Sequence, residues 1–146
     1  MRSDRQNLSR RGFLSRSAAL VALPSFIPRL VSASPAERLV VGHVGIGGRG
    51  GSLLGMTRGN AQVEVGALCD VDQGHLGRAR KAAGGNPQQA ADYRRVLDNK
   101  ALDGVVVAAP DHWHATMTIA ACRAGKHVYC EKPLSHNIAE GRRAKG

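Results

Sequence analysis

Aromatic residues are scarce in this chain: one tryptophan, two tyrosines and two phenylalanines among 146 residues. Beyond residue 33 only Tyr93, Trp113 and Tyr129 remain, and no basic run there exceeds two residues. Stacking platforms and a basic stripe are both missing, which excludes a sequence-reading nucleic-acid surface. Cysteine is scarce too. Cys69, Cys122 and Cys130 are odd in number, scattered and without C-x-x-C spacing, so no disulfide framework follows and small core residues are expected. No apolar run approaches the roughly 20 residues that span a bilayer, and Ala18 to Ile27 has only ten. Acidic residues are few, 11 against 21 basic, for a net charge of +10. That imbalance is uneven: residues 1–33 hold six arginines and one aspartate, leaving 15 basic and 10 acidic residues in the remainder.

Glycine, in contrast, is abundant, and its placement carries information. Arg38 to Gly50, RLVVGHVGIGGRG, runs from a short apolar strand into Gly45, Gly47 and Gly50, the G-x-G-x-x-G spacing of a dinucleotide-binding turn. Gly45 allows the tight turn, Gly47 lets backbone approach a pyrophosphate, and Gly50 lets a helix pack against the sheet. The pyrophosphate would then rest on free amides at that helix's N-terminus. Glycine is common enough (18 of 146) for the spacing alone to arise by chance. Context supplies the rest: Asp70 follows a second apolar run, Val63 to Cys69, where a carboxylate for the adenosine ribose belongs. Asp70 would repel a 2′-phosphate and so favour NAD over NADP, unless Arg78 or Lys81 reaches the site.

Strand and helix patterns alternate along the remainder. Strands are expected at Arg38–Val44, Val63–Cys69, Gln89–Ala91, Gly104–Ala109 and His127–Cys130. Helices are expected at Arg49–Arg58, Gln73–Ala83, Tyr93–Asn99 and Ala115–Ala124, and another opens at the capping pair Asn137 and Glu140. This order implies a doubly wound, Rossmann-like parallel sheet. Ligands bind at the carboxyl ends of such strands, so Gly45–Gly50, Pro110–His114 and Glu131–Pro133 should converge on one crevice.

Residues 1–33 read as an address. Ser9-Arg10-Arg11-Gly12-Phe13-Leu14 reproduces the twin-arginine export signal, S-R-R-x-F-L, with the apolar stretch behind it and Val31-Ser32-Ala33 offering small residues for cleavage. Partnership with the Tat export machinery and a periplasmic or other extracytoplasmic destination follow as expectations, without a stable membrane span. Residues 34–37 form a linker, and 38–146 the nucleotide-binding domain.

Lys132 is the candidate catalytic residue. Flanked by Glu131 and Pro133 at a strand end, it could bond a substrate hydroxyl and exchange its proton. Asp111, His112, Trp113 and His114 form a dense polar cluster, with Cys130 on the next strand. The spacing fits none of the usual zinc patterns, and no metal site is expected.

These residues together resemble the N-terminal domain of the Gfo/Idh/MocA oxidoreductases, named for glucose-fructose oxidoreductase and inositol dehydrogenase. The matches are Gly45-Ile46-Gly47-Gly48-Arg49-Gly50, Asp70, Asp92-Tyr93-Arg94, Pro110-Asp111-His112-Trp113-His114 and Glu131-Lys132-Pro133-Leu134. The resemblance implies that the glycine turn, including Ile46, Gly48 and Arg49, binds the cofactor together with Asp70. It also implies that Glu131 and the Pro110 turn, with Asp111 and His114, line the nicotinamide end, and that Lys132 contacts a sugar or cyclitol substrate. The family's usual threonine before the proline is Ala109 here. Members continue into a β-rich second domain, so the chain is expected to be part of a longer enzyme, one that allows a homo-oligomer. An NAD-using glycosidase and a non-catalytic cofactor-binding module are the competing readings.

Overall fold

Each apolar strand here is followed by a helix that carries the chain back across the sheet, so successive strands point the same way. The computed structural model describes residues 38–145. The expected leader and linker lie outside the described residues. The strands are β1 (Leu39–Val44), β2 (Val63–Cys69), β3 (Gln88–Ala90), β4 (Gly104–Val107) and β5 (His127–Cys130). They lie in the order β3-β2-β1-β4-β5, with every neighbouring pair parallel. The helices are α1 (Gly48–Arg58), α2 (Gln73–Ala83), α3 (Tyr93–Leu97), α4 (Asp111–Arg123) and α5 (Ile138–Ala144). Strand order reverses between β1 and β4, the point where a doubly wound sheet opens a crevice.

Two apolar layers cover the sheet. Ala67, Val96, Leu97, Val105, Val107 and Ala121 fill one face, and Ile46, Leu54, Val65, Leu68, Leu76 and Ala79 the other. Each leucine or valine side chain fully removed from water contributes about 1.5–3 kcal/mol, which makes this burial the main stabilising force. Gly66 is the extra residue of a register shift between β1 and β2. Polar clasps close the periphery: the Lys126 ammonium donates to the carbonyls of Asn99 and Leu102 at 2.8 and 2.7 Å. Asp72, Asp92 and Asn137 cap α2, α3 and α5 through their side chains. The Glu140 carboxylate reaches back to the His136 amide at 2.9 Å, completing the expected capping pair.

Most differences from the expected elements are a residue or two at the ends, where β3 sits one position earlier and α3 stops at Leu97. Expected strand residues Ala108 and Ala109 leave the sheet after the Ala108 amide bonds the Val44 carbonyl at 2.8 Å. One difference matters for function: α4 begins at Asp111, not Ala115. Pro110 has φ −56°, already suited to a helix start, and Asp111 places an acid in the first turn against the helix dipole. The Asp-His-Trp-His cluster is therefore helical.

Candidate functional site

The glycine turn is shaped by close approaches. Gly45 has φ +81°, and a β-carbon there would lie 2.6 Å from the Ala109 amide nitrogen, so the turn presses directly on the end of β4. A β-carbon on Gly50 would collide with the Gly45 carbonyl, which is why α1 can start so tightly under its own turn. The N-cap of α1 is Gly47, with no side-chain cap and no acid in the first turn. The first-turn amides therefore point outward without a side-chain acceptor, an arrangement suited to an anion.

A cavity of about 680 Å³ lies along the carboxyl ends of the strands. Its lining includes Gly45, Gly47, Gly48 and Arg49 from the glycine turn, Asp70 just after β2, and Pro110 and Trp113 at the start of α4. A second hollow of about 650 Å³ lies at the opposite end of the sheet, bounded by Arg38, Glu64 and Pro87 among others. Volume does not separate the two hollows. The chemistry does, because only the first gathers the glycine turn and the acid.

Asp70 is held firmly. Its carboxylate accepts from the Ile46 amide and the Asp72 amide, both at 2.9 Å. Burial alone would raise its pKa, but those two amides and the neighbouring His75 more than offset this and hold it below the usual carboxylate range. Cys69, just before it, is a different matter: burial, then the charges of Asp70 and Asp92, push its thiol up to about 12, which makes it a packing residue. All three cysteines are free, but the expectation of small core residues holds only for Cys69: Cys130 is half-buried, and Cys122 is exposed because it falls on the outer face of α4.

Across the mouth, Arg49 at the start of α1 meets Glu131 just after β5, with Nε and Nη2 each 2.9 Å from the same carboxylate oxygen. The Tyr129 hydroxyl donates to that oxygen at 3.2 Å. Glu131 is accordingly held low, first by the Arg49 hydrogen bond. Lys132 follows, exposed, its peptide bond to Pro133 cis. Asp111 sits 3.4 Å from the His136 ring, and that contact is the first cause of its lowered pKa.

The expected site residues thus divide. Gly45, Gly47, Gly48, Arg49, Asp70 and Pro110 line the cavity. Ile46 does not: its side chain is buried and its amide is taken by Asp70. Gly50 packs the helix onto the turn beneath the cavity floor. Asp111, Glu131 and Lys132 do not line the cavity: Asp111 follows the lining Pro110, and Glu131 pairs with the lining Arg49. His114 does not line the cavity either. It is 2% exposed, with Nδ1 2.6 Å from the Pro133 carbonyl and Nε2 2.7 Å from the Ala109 carbonyl. Both ring nitrogens are committed to backbone, so His114 ties the Pro133 turn to the end of β4. Each contact is a hydrogen bond only when its nitrogen carries the proton.

Sequence reasoning missed two residues. His75 lines the cavity, whereas Arg78 and Lys81 do not. The signal for His75 was its place in the first turn of α2 after Asp70. His43, inside β1, is wholly buried with neither ring nitrogen hydrogen-bonded among the described residues, and burial lowers its pKa to about 4. Among the described residues no group of three or more histidine, cysteine or acidic side chains is placed to hold a metal.

An uncapped glycine turn, an acid at the end of the second strand and a crevice at the strand-order reversal define a nucleotide-binding Rossmann domain. The chain belongs to the Gfo/Idh/MocA oxidoreductase family, with its NAD-binding Rossmann fold, and residues 39–145 match that family. Among its relatives is a glycosyl hydrolase family 109 protein of Stenotrophomonas maltophilia, 37% identical over 85% of this chain and 29% of the relative. Another is inositol 2-dehydrogenase 1 of Saccharopolyspora erythraea, 40% identical over 70% of this chain and 34% of the relative. The crystal structure of myo-inositol 2-dehydrogenase from Lactobacillus plantarum superposes with a TM-score of 0.70 at 28% identity, covering 74% of this chain and 32% of that one. The chain spans about a third of the length of these proteins.

Proposed function

We propose that this chain is the cofactor-binding part of an NAD-dependent oxidoreductase that moves a hydride between nicotinamide and a sugar or cyclitol hydroxyl. The observation that carries the reading is the uncapped N-terminus of α1 beside Gly47, with Asp70 fixed at the end of the adjacent strand. Those groups suit the two ends of an ADP-ribose. The α1 amides with Gly47, Gly48 and Arg49 would take the pyrophosphate, Asp70 the ribose hydroxyls, and Pro110 with Trp113 the nicotinamide side. Bound nicotinamide supplies the hydride acceptor. Lys132, as the neutral amine, would hold the substrate hydroxyl and take its proton as the hydride leaves carbon for the nicotinamide, and the Arg49 to Glu131 pair keeps β5's end against the phosphate turn. The expected result for Asp70→Ala is at least about tenfold weaker NAD binding, as for a lost hydrogen bond to a charged group. Calorimetric titration measures it, and equal affinity in the variant would remove Asp70 from the site.

The glycosidase name of the Stenotrophomonas relative favours a second reading, in which NAD is reduced and reoxidised within each turnover to cleave a glycoside. Net NADH accumulation with a free sugar or cyclitol supports the dehydrogenase, and glycoside cleavage without it supports the glycosidase.

Export folded by the twin-arginine route belongs to the same proposal, and the Ser9 to Leu14 motif supports it. A reporter fused to residues 1–36 should reach the periplasm and lose export when Arg10 and Arg11 are both changed to lysine. Export unaffected by the double change would detach the leader from this route.

A further inference from the structure

The turn that carries Lys132 is anchored on both sides by groups from other elements. Before it, the Glu131 amide donates to the Val107 carbonyl at 2.9 Å, and the Glu131 carboxylate meets Arg49. After it, the Pro133 carbonyl lies 2.6 Å from Nδ1 of His114, a residue of α4. The opposite ring nitrogen, Nε2, lies 2.7 Å from the Ala109 carbonyl, in the segment between β4 and α4. One imidazole therefore spans the chain after β4 and the residue that follows Lys132.

His114 differs from its neighbours in the same helical turn. His112 and Trp113 are exposed, whereas His114 is almost fully buried, like Ala115 after it. A buried imidazole costs stability unless its nitrogens have partners, and both partners here are backbone carbonyls of flanking turns. Lys132, by contrast, is exposed on a flexible four-carbon stem. The point from which it reaches outward is set by the backbone on either side of it. The Glu131 side is held by its bond to β4, and the Pro133 side by His114. A misplacement of about 1 Å at a reacting group can cost about 10²-fold in rate, so the Pro133 contact bears on chemistry as well as packing.

Resting on the role given to Lys132 above, we propose that His114 is a positioning residue for the chemical step. Its Nδ1 clasps the Pro133 carbonyl and fixes the backbone from which the Lys132 amine meets the substrate hydroxyl. The Nε2 contact sets the ring against the chain after β4. His114 stands outside the cavity and acts only through the placement of Lys132.

The test compares His114→Asn and His114→Gln in a full-length enzyme carrying this domain. The asparagine amide nitrogen falls near the place of Nδ1 and keeps a donor for Pro133, whereas the glutamine amide nitrogen falls near that of Nε2 and keeps a donor only for Ala109. Neither variant leaves the buried site without a donor. Turnover should fall by about tenfold to a hundredfold in the glutamine variant, the range of a reacting group displaced by up to about 1 Å, and asparagine should restore most of it. NAD affinity, read by calorimetry, should stay unchanged in both, because His114 does not line the cavity. Urea unfolding of the same proteins separates a loss of stability, which a purely structural role gives, from a loss of kcat in folded enzyme. Equal kcat in the two variants, or a loss of NAD affinity that matches the loss of kcat, overturns the assignment of His114. Unchanged turnover in Lys132→Ala, measured alongside, would overturn the role of Lys132 itself, which is a separate result.

Discussion

Lys132→Ala, made in a full-length enzyme carrying this domain, is expected to lower kcat by about 10² to 10⁴, the range of a lost acid or base. That corresponds to about 3 to 5 kcal/mol of barrier. Dinucleotide affinity should stay nearly unchanged, because Lys132 is exposed at the end of β5 and does not line the cavity that gathers the glycine turn and Asp70. Lys132→Arg separates charge from proton exchange: it keeps the cation but cannot give up its proton near neutrality, so it should not restore turnover. Steady-state kinetics with a parallel NAD titration reads both quantities. Unchanged turnover in the alanine variant would return Lys132 to the role of a surface turn residue.

The second large effect concerns stability in acid. His43 is fully buried between β2 and β4, and its pKa is lowered to about 4 by burial. In the unfolded chain a histidine titrates near 6.5, so below that value the unfolded state binds a proton that the folded state refuses. The stability that depends on a neutral His43 is fully present above about pH 6.5 and is lost as pH falls toward 4. The shift is worth about 3 kcal/mol across that window. His43→Leu should flatten this part of the stability curve. At neutral pH it should also stabilise the fold by about 1–3 kcal/mol, since a buried unpaired polar group is replaced by an apolar one. Urea unfolding at pH 7.5 and 4.5 measures both. Equal acid loss in wild type and variant would show that His43 is not the group responsible.

How much of this could be read from the chain depends on how far apart the partners are. The strands, the glycine turn and Asp70 are written in local runs and fixed spacings, and the structure places them close to their expected positions. The start of α4 differs from its expected place because a proline after an apolar run reads as a strand stop, whereas its fixed φ also suits the cap of a helix. His114 was expected near the nicotinamide because the family resemblance places its turn there, and only the fold reveals that its ring meets two backbone carbonyls. The Arg49 to Glu131 pair joins residues 82 apart in sequence, and His75 meets Gly47 only through the crossover of α1 and β2. Periodicity carries no record of such meetings. His43 was invisible for the opposite reason: one histidine in an apolar strand does not disturb the pattern that identifies the strand.

The place of β1 has a further consequence for the time course of folding. Of the described strands, the first to be made is the middle strand of the sheet. It finds β2 nearby, but its other neighbour, β4, pairs Val41 with Gly104. At a synthesis rate of about 5–20 residues per second, the interval between β1 and β4 is about 3 to 12 seconds. During that interval β1 has an unpaired edge, and the long-range pairing that closes it is of the kind that slows folding. The nascent chain therefore passes through a period in which the central strand of the finished sheet stands at an open edge. Chaperone demand should be greatest before residue 107 emerges, the end of the strand that completes the centre of the sheet.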